Sequence, residues 1–200
     1  MQGKVTTHHY MVENYVQMPW KNGTGITTEL ARSSSVEGYD WRLSIADITA
    51  DGPFSSFPDC RRIITVLEGA GMQLTVDGQS SGVLRPFKAF TFDGDSRTNC
   101  TLIDGPIRDL NLIYRKDRID SRFKWVELSV PRHIVTAAPM VLIFTAVGRM
   151  ALRHSGAGEL HLGDQELAKI ENNSGTLSMS LDGKDGGPGK HAAVVELWPL

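Results

Sequence analysis

Cysteine is scarce in this chain. Cys60 and Cys100 are the two present, with no Cys-x-x-Cys spacing, which reads as two reduced thiols in a cytoplasmic protein. Long apolar runs are missing too. No segment approaches the ~20 residues of a membrane helix, and the N-terminal MQGKVTTHHYMVENYV lacks the apolar stretch of a signal peptide. Charge of one sign is also lacking. The net charge is -2, and the basic pairs Arg61-Arg62 and Arg115-Lys116 are too short to form a footprint for nucleic acid or an anionic membrane. Asn22-Gly23-Thr24 spells a glycosylation sequon, which has no consequence in the cytoplasm.

Helix signals are nearly absent as well. No window of about a dozen residues combines a 3,4 apolar period with good caps. Gly, Asp, Asn and Pro instead punctuate strand-like segments every ~8–12 residues, the rhythm of an antiparallel sandwich or barrel. Residues 10–18 form a weak first strand. Residues 25–31 are rich in β-branched side chains. In 41–48, Trp41, Leu43 and Ile45 share one face, and Arg42, Ser44 and Ala46 the other. Further strands are expected at 62–67, 72–76, 98–103 and 108–114. A second set runs through 122–130, 140–147, 151–154, 158–162, 167–171, 177–181 and 192–197. The two sets share a faint rhythm around their Gly turns, which suggests an internal duplication dividing near Ser121.

Several kinds of chemistry lack their residues. The six histidines include no His-x-His pair of the kind that puts two ligands on one strand face, so no bound metal is expected. No Gly-x-Ser-x-Gly occurs, and Cys60 beside Arg61 and Arg62 is a lone thiol. Asp47, Asp51 and Asp59 fall at turns, where carboxylates cap backbone groups. Lys21-Asn22-Gly23-Thr24-Gly25 lacks both the ending and the following helix of a phosphate loop.

What is present is a set of polar side chains at alternate strand positions. Arg42 and Ser44 share a face, as do Arg62 and Ile64, and Asp109 and Asn111. These faces either look at water or line a barrel interior. In the second case the arginines present planar forks to a carboxylate, and Asp109 and Asn111 hold the arginines or read a ligand amide. Trp20, Trp41, Phe54 and Phe57 are candidates for the apolar walls such a pocket needs.

The segments PWKNGTG, DWRLSIADI, DGPFSSFP, RRIITVLEG and RDLNLIY resemble those of the HutD/Ves family of bacterial proteins. The resemblance spans most of the chain. It departs at Thr24, where the family usually has glycine, and at Asp59-Cys60 before the arginine pair. It implies an all-β bicupin: two jelly-roll-like antiparallel β-barrels, at 1–120 and 121–200, without the metal-binding histidines of many cupins and with no cofactor. It also implies a role near histidine utilisation, with a link to environmental stress in some bacteria, and no established catalytic activity. The implied ligand is a small carboxylate such as urocanate or a formylated glutamate, held in the N-terminal barrel by Trp20, Lys21, Asn22, Arg42, Ser44, Phe54, Arg62, Asp109 and Asn111. The leading expectation is a cytoplasmic, non-catalytic binding protein with no nucleic-acid or membrane partner, and with room for a homodimer. The alternatives are a metal-independent isomerase or hydrolase acting on a small organic acid, and a protein-interaction module.

Overall fold

The computed structural model describes residues 4–20, 23, 25–34, 38–155, 157–183 and 189–200. Among them there is no α-helix, only a 3-10 turn at Val12–Asn14. The strands in chain order are β1 (Val5–Tyr10), β2 (Val16–Pro19), β3 (Gly25–Arg32), β4 (Trp41–Ile48), β5 (Gly52–Pro53), β6 (Cys60–Glu68), β7 (Met72–Val76), β8 (Gln79–Leu84), β9 (Phe90–Asp93), β10 (Thr98–Leu102) and β11 (Ile107–Arg115). They continue as β12 (Ile119–Glu127), β13 (Arg132–Thr136), β14 (Met140–Thr145), β15 (Met150–His154), β16 (Ala157–Leu162), β17 (Leu167–Asn172), β18 (Leu177–Gly183) and β19 (His191–Pro199). No helix is long and apolar enough to cross a membrane among the described residues.

The chain divides into two units, Tyr15–Ile119 and the segment ending at Asn14 together with Asp120–Leu200. Each is a jelly-roll-like sandwich of two sheets. The first unit has sheets ordered β2-β3-β4-β11-β6-β9 and β5-β10-β7-β8, and the second β1-β17-β14-β19-β12 and β13-β18-β15-β16. The expected barrels are therefore not closed: among the described residues no ladder joins the edges of one sheet to those of the other. The two units share their connectivity. The series β4-β11-β6-β9 and β12-β19-β14-β17 match step for step, as do β5-β10-β7-β8 and β13-β18-β15-β16.

The first strand departs from the sequence reading. The segment 10–18 is broken by the turn at Val12–Asn14. The strand ahead of that turn pairs antiparallel with β17, from Val5 opposite Asn172 to Tyr10 opposite Leu167. It thus belongs to the second unit, not to a domain of residues 1–120. Local pattern could not show this, because the partner that satisfies its backbone groups lies far along the chain.

The two interiors differ in chemistry. In the second unit Val141, Ile143, Leu152, Leu181 and Val194 fill the space between the sheets. In the first, Ile64, Val66, Met72, Leu74, Leu84 and Cys100 form a comparable core but occupy only part of the sandwich. The remainder is polar. Register explains which residues meet there. Arg42 lies opposite Ile113 and Ile113 opposite Arg62; Ser44 opposite Asn111 and Asn111 opposite Ile64; Ala46 opposite Asp109 and Asp109 opposite Val66. Residues directly opposite in a ladder share a face, so three polar rows stack on one side of β4, β11 and β6.

Candidate functional site

That polar face forms the floor of a cavity of about 500 Å³ inside the first unit, within the ~300–1,000 Å³ usual for small-molecule sites. Arg42, Ser44, Arg62, Asp109 and Asn111 line it, with Trp20 and Phe54 among its walls. Seven of the nine residues singled out from the sequence thus surround one space. Lys21 and Asn22 lie outside the described residues. Trp41 does not reach the cavity: it is 2% exposed and sits on the opposite face of β4 from Arg42. Thr27, Ser55 and Phe57 also line it, with Met18, Pro19, Ala46, Ile48 and Pro53, and Tyr39, outside the lining, packs on Arg42. Tyr39 and Ser55 were missed because loop positions follow no strand period.

The hairpin from β2 to β3 builds one wall. The Trp20 N–H donates to the Gly25 carbonyl at 2.9 Å, and the Gly23 N–H to the Trp20 carbonyl at 3.0 Å. The indole Nε1–H donates to Thr27 Oγ1 at 2.8 Å. A Cβ on Gly25 would stand 2.7 Å from the Asp47 carbonyl oxygen and 2.9 Å from the Trp20 ring. Glycine is required there because the indole lies against the backbone.

A second wall is the segment between β5 and β6, whose aromatic rings pack on the arginines. The Arg62 guanidinium lies 5.1 Å from the Phe54 ring, 5.1 Å from Phe57 and 5.0 Å from Phe92. Its Nη1 donates to the Ser55 carbonyl at 3.3 Å. Arg42 lies over Tyr39 at 5.2 Å and Phe57 at 5.5 Å. Aromatic faces attract the cations and fix their planes.

Electrostatics at the floor are unusual. Arg62 is 4% exposed and Asp109 1%. Burial pulls the Arg62 pKa down to about 10, opposed by the nearby Asp109 charge. Burial likewise pushes Asp109 up to about 7, opposed by Arg62 and reinforced by Asp47. Of the buried side-chain polar atoms without a hydrogen-bond partner among the described residues, four belong to the cavity lining: Arg42 Nε, Arg62 Nε, Asp109 Oδ1 and Asn111 Oδ1. An unsatisfied buried polar atom costs about 1–3 kcal/mol, and these four belong to residues that line one cavity.

The donor set does not suit a divalent metal. The cavity offers one carboxylate, one amide and three hydroxyls (Thr27, Ser44 and Ser55) beside two guanidiniums. Among the described residues no group of three or more His, Cys, Asp or Glu is placed to hold an ion. Cys60 is not activated: burial raises its pKa despite Arg115.

A family model for HutD matches residues 12–186. The chain belongs to the HutD family. Among relatives of this HutD-family chain, an uncharacterized 21.2 kDa protein in the hutC 3' region of Pseudomonas putida is 42% identical over 174 residues, covering 86% of this chain and 90% of that one. Protein Ves of Citrobacter koseri is 37% identical over 107 residues, 52% of this chain and 56% of Ves. The structure of HutD from Pseudomonas fluorescens SBW25 superposes with a TM-score of 0.83 at 39% identity, over 98% of this chain and all of that one (100%). A cupin 2 conserved barrel domain protein from Leptotrichia buccalis shares the fold at a TM-score of 0.56 and 6% identity, covering 86% of this chain and 88% of its own. The HutD-family architecture is thus cupin-like.

Proposed function

We propose that this chain is a non-catalytic binding protein for a small carboxylate metabolite, and that it regulates or buffers histidine utilisation. The observation that carries the reading is the pair of guanidiniums with unpartnered Nε atoms on the floor of one cavity. A carboxylate matches such forks in geometry and charge. Trp20, Phe54 and Phe57 supply flat apolar walls for a planar or extended carbon skeleton, and Ser44 and Asn111 add polar contacts. Family membership and a relative in a hutC 3' region support histidine breakdown as the source, with urocanate and formylated glutamate as the ligands to try first. A cytoplasmic setting belongs to the same proposal; Cys60 and Cys100 are both free and buried.

A thermal-shift series tests this. Urocanate and N-formylglutamate should raise the melting midpoint, since a ligand bound only by the folded state stabilises it. Imidazole and the amides of the same acids should not. Equal shifts with acids and amides would remove the carboxylate from the reading.

One observation favours a second reading. Asp109 lies in the cavity, and its proton comes off near neutrality, which is where a general acid or base operates. An isomerase or hydrolase acting on the same acid would use it. Incubation of urocanate or N-formylglutamate with stoichiometric protein, followed by NMR, distinguishes the two. Turnover lost in Asp109→Asn establishes the enzyme; unchanged substrate supports the binding protein.

A further inference from the structure

The aromatic wall is held from behind by residues that do not line the cavity. The Phe57 N–H donates to the Gly94 carbonyl at 2.8 Å, and the Gly94 N–H donates to the Cys60 carbonyl at 2.8 Å. Ser56 Oγ donates to the same Gly94 carbonyl at 3.3 Å. Next along the chain, Asp95 Oδ1 accepts from the Asp59 N–H at 3.2 Å, while its Oδ2 accepts from Lys116 Nζ at 2.8 Å. The Lys116 N–H in turn donates to the Asp59 carbonyl at 3.1 Å. Asp59 itself has φ 59°, a left-handed conformation that persists for a non-glycine residue when its surroundings hold it.

Gly94 is the tightest point of this clamp. Its φ is not among the positive ones, so its backbone does not demand glycine. Space does: a Cβ there would lie 2.4 Å from the Phe57 carbonyl oxygen, 3.1 Å from that of Cys60 and 3.1 Å from Phe57 Cβ. Any side chain at 94 therefore pushes on the residue whose ring covers both Arg42 and Arg62.

We propose that Gly94 and Asp95, with Lys116 behind them, are positioning residues for the cavity. They seat Phe57 against the two guanidiniums and so set how far the arginine forks are open. The consequence for ligand affinity rests on the carboxylate reading above; the consequence for the arginines does not.

The test uses the full chain without ligand. Phenylglyoxal modifies accessible arginines, and peptide mapping reports Arg62 and Arg42 against the exposed Arg149. In the wild type Arg62 should react slowly. Gly94→Ala, Asp95→Ala and Lys116→Met should each speed its modification at least ~5-fold, because reactivity follows local opening. Lys116→Arg should restore protection. Phe57→Leu, which removes the ring itself, should match the fastest of them. Asp95 and Lys116 are exposed, and such ion pairs add little global stability, so their variants should melt close to the wild type and remain informative if Gly94→Ala does not fold. Arg62 rates within twofold of wild type in Asp95→Ala and Lys116→Met would overturn the proposal. So would an equal rise at the half-buried Arg108 and Arg118, which do not line the cavity, in step with a lowered melting midpoint, which is a purely structural effect. If protection changes as expected but wild type binds no urocanate in calorimetry, the positioning role stands and the carboxylate reading falls.

Discussion

Arg42 and Arg62 occupy one cross-strand row, on either side of Ile113. Neighbouring strands are about 4.8 Å apart, so the two Cα atoms lie roughly 10 Å from each other, and the long side chains converge over the same Phe57 ring. The row explains why two strands that pair with β11 and not with each other deliver one paired cationic feature.

The pairing makes the geometry of the fork testable apart from its charge. Arg42→Lys and Arg62→Lys keep the cation and lose the planar donors. Each variant should fold yet bind urocanate at least ~10-fold more weakly in calorimetry, an effect of about 1.4 kcal/mol. Wild-type affinity in both would show that these arginines do not hold the ligand.

Asp109 should write a pH dependence into stability. Its pKa is raised from 3.8 to about 7 by burial, so the folded state keeps the proton longer than the unfolded state does. The stabilisation is complete below the unfolded pKa and is lost as pH rises through about 7. Urea midpoints measured from about pH 4 to pH 8 should therefore fall for wild type more than for Asp109→Asn, which carries a neutral group of the same shape at every pH. Parallel curves for the two proteins would mean that Asp109 ionises normally.

Gly25 tests the wall built by the hairpin from β2 to β3. A Cβ at this position meets the Asp47 carbonyl and the Trp20 ring, and overpacking of this kind costs about 1–3 kcal/mol. Gly25→Ala should lower the urea midpoint accordingly and alter the Trp20 contribution to fluorescence, identified by difference from Trp20→Phe. Unchanged emission and stability would show that the hairpin yields without moving the indole.

Much of the fold was legible in the residues. The lack of helical period and the recurrence of turn residues led to an all-β chain of two similar halves, because strand period and turn chemistry are local properties. The segments β6, β7, β10 to β12 and β14 to β19 were readable within a few residues of their ends. The first strand was not, since β1 is defined by its ladder with β17 and not by its own pattern.

The site divides in the same way. Alternation along each strand, on its own, determined that Arg42 sides with Ser44, Arg62 with Ile64 and Asp109 with Asn111. It could not say whether those faces met water or protein, because an exposed polar face and a buried one have the same period. Tertiary structure decided that. Register stacked the three pairs on one floor, the Phe54–Phe57 segment closed over them, and burial then set the arginine planes and the proton affinity of Asp109. Desolvation and through-space charge depend on what surrounds a group in three dimensions, and no single stretch of chain carries that information.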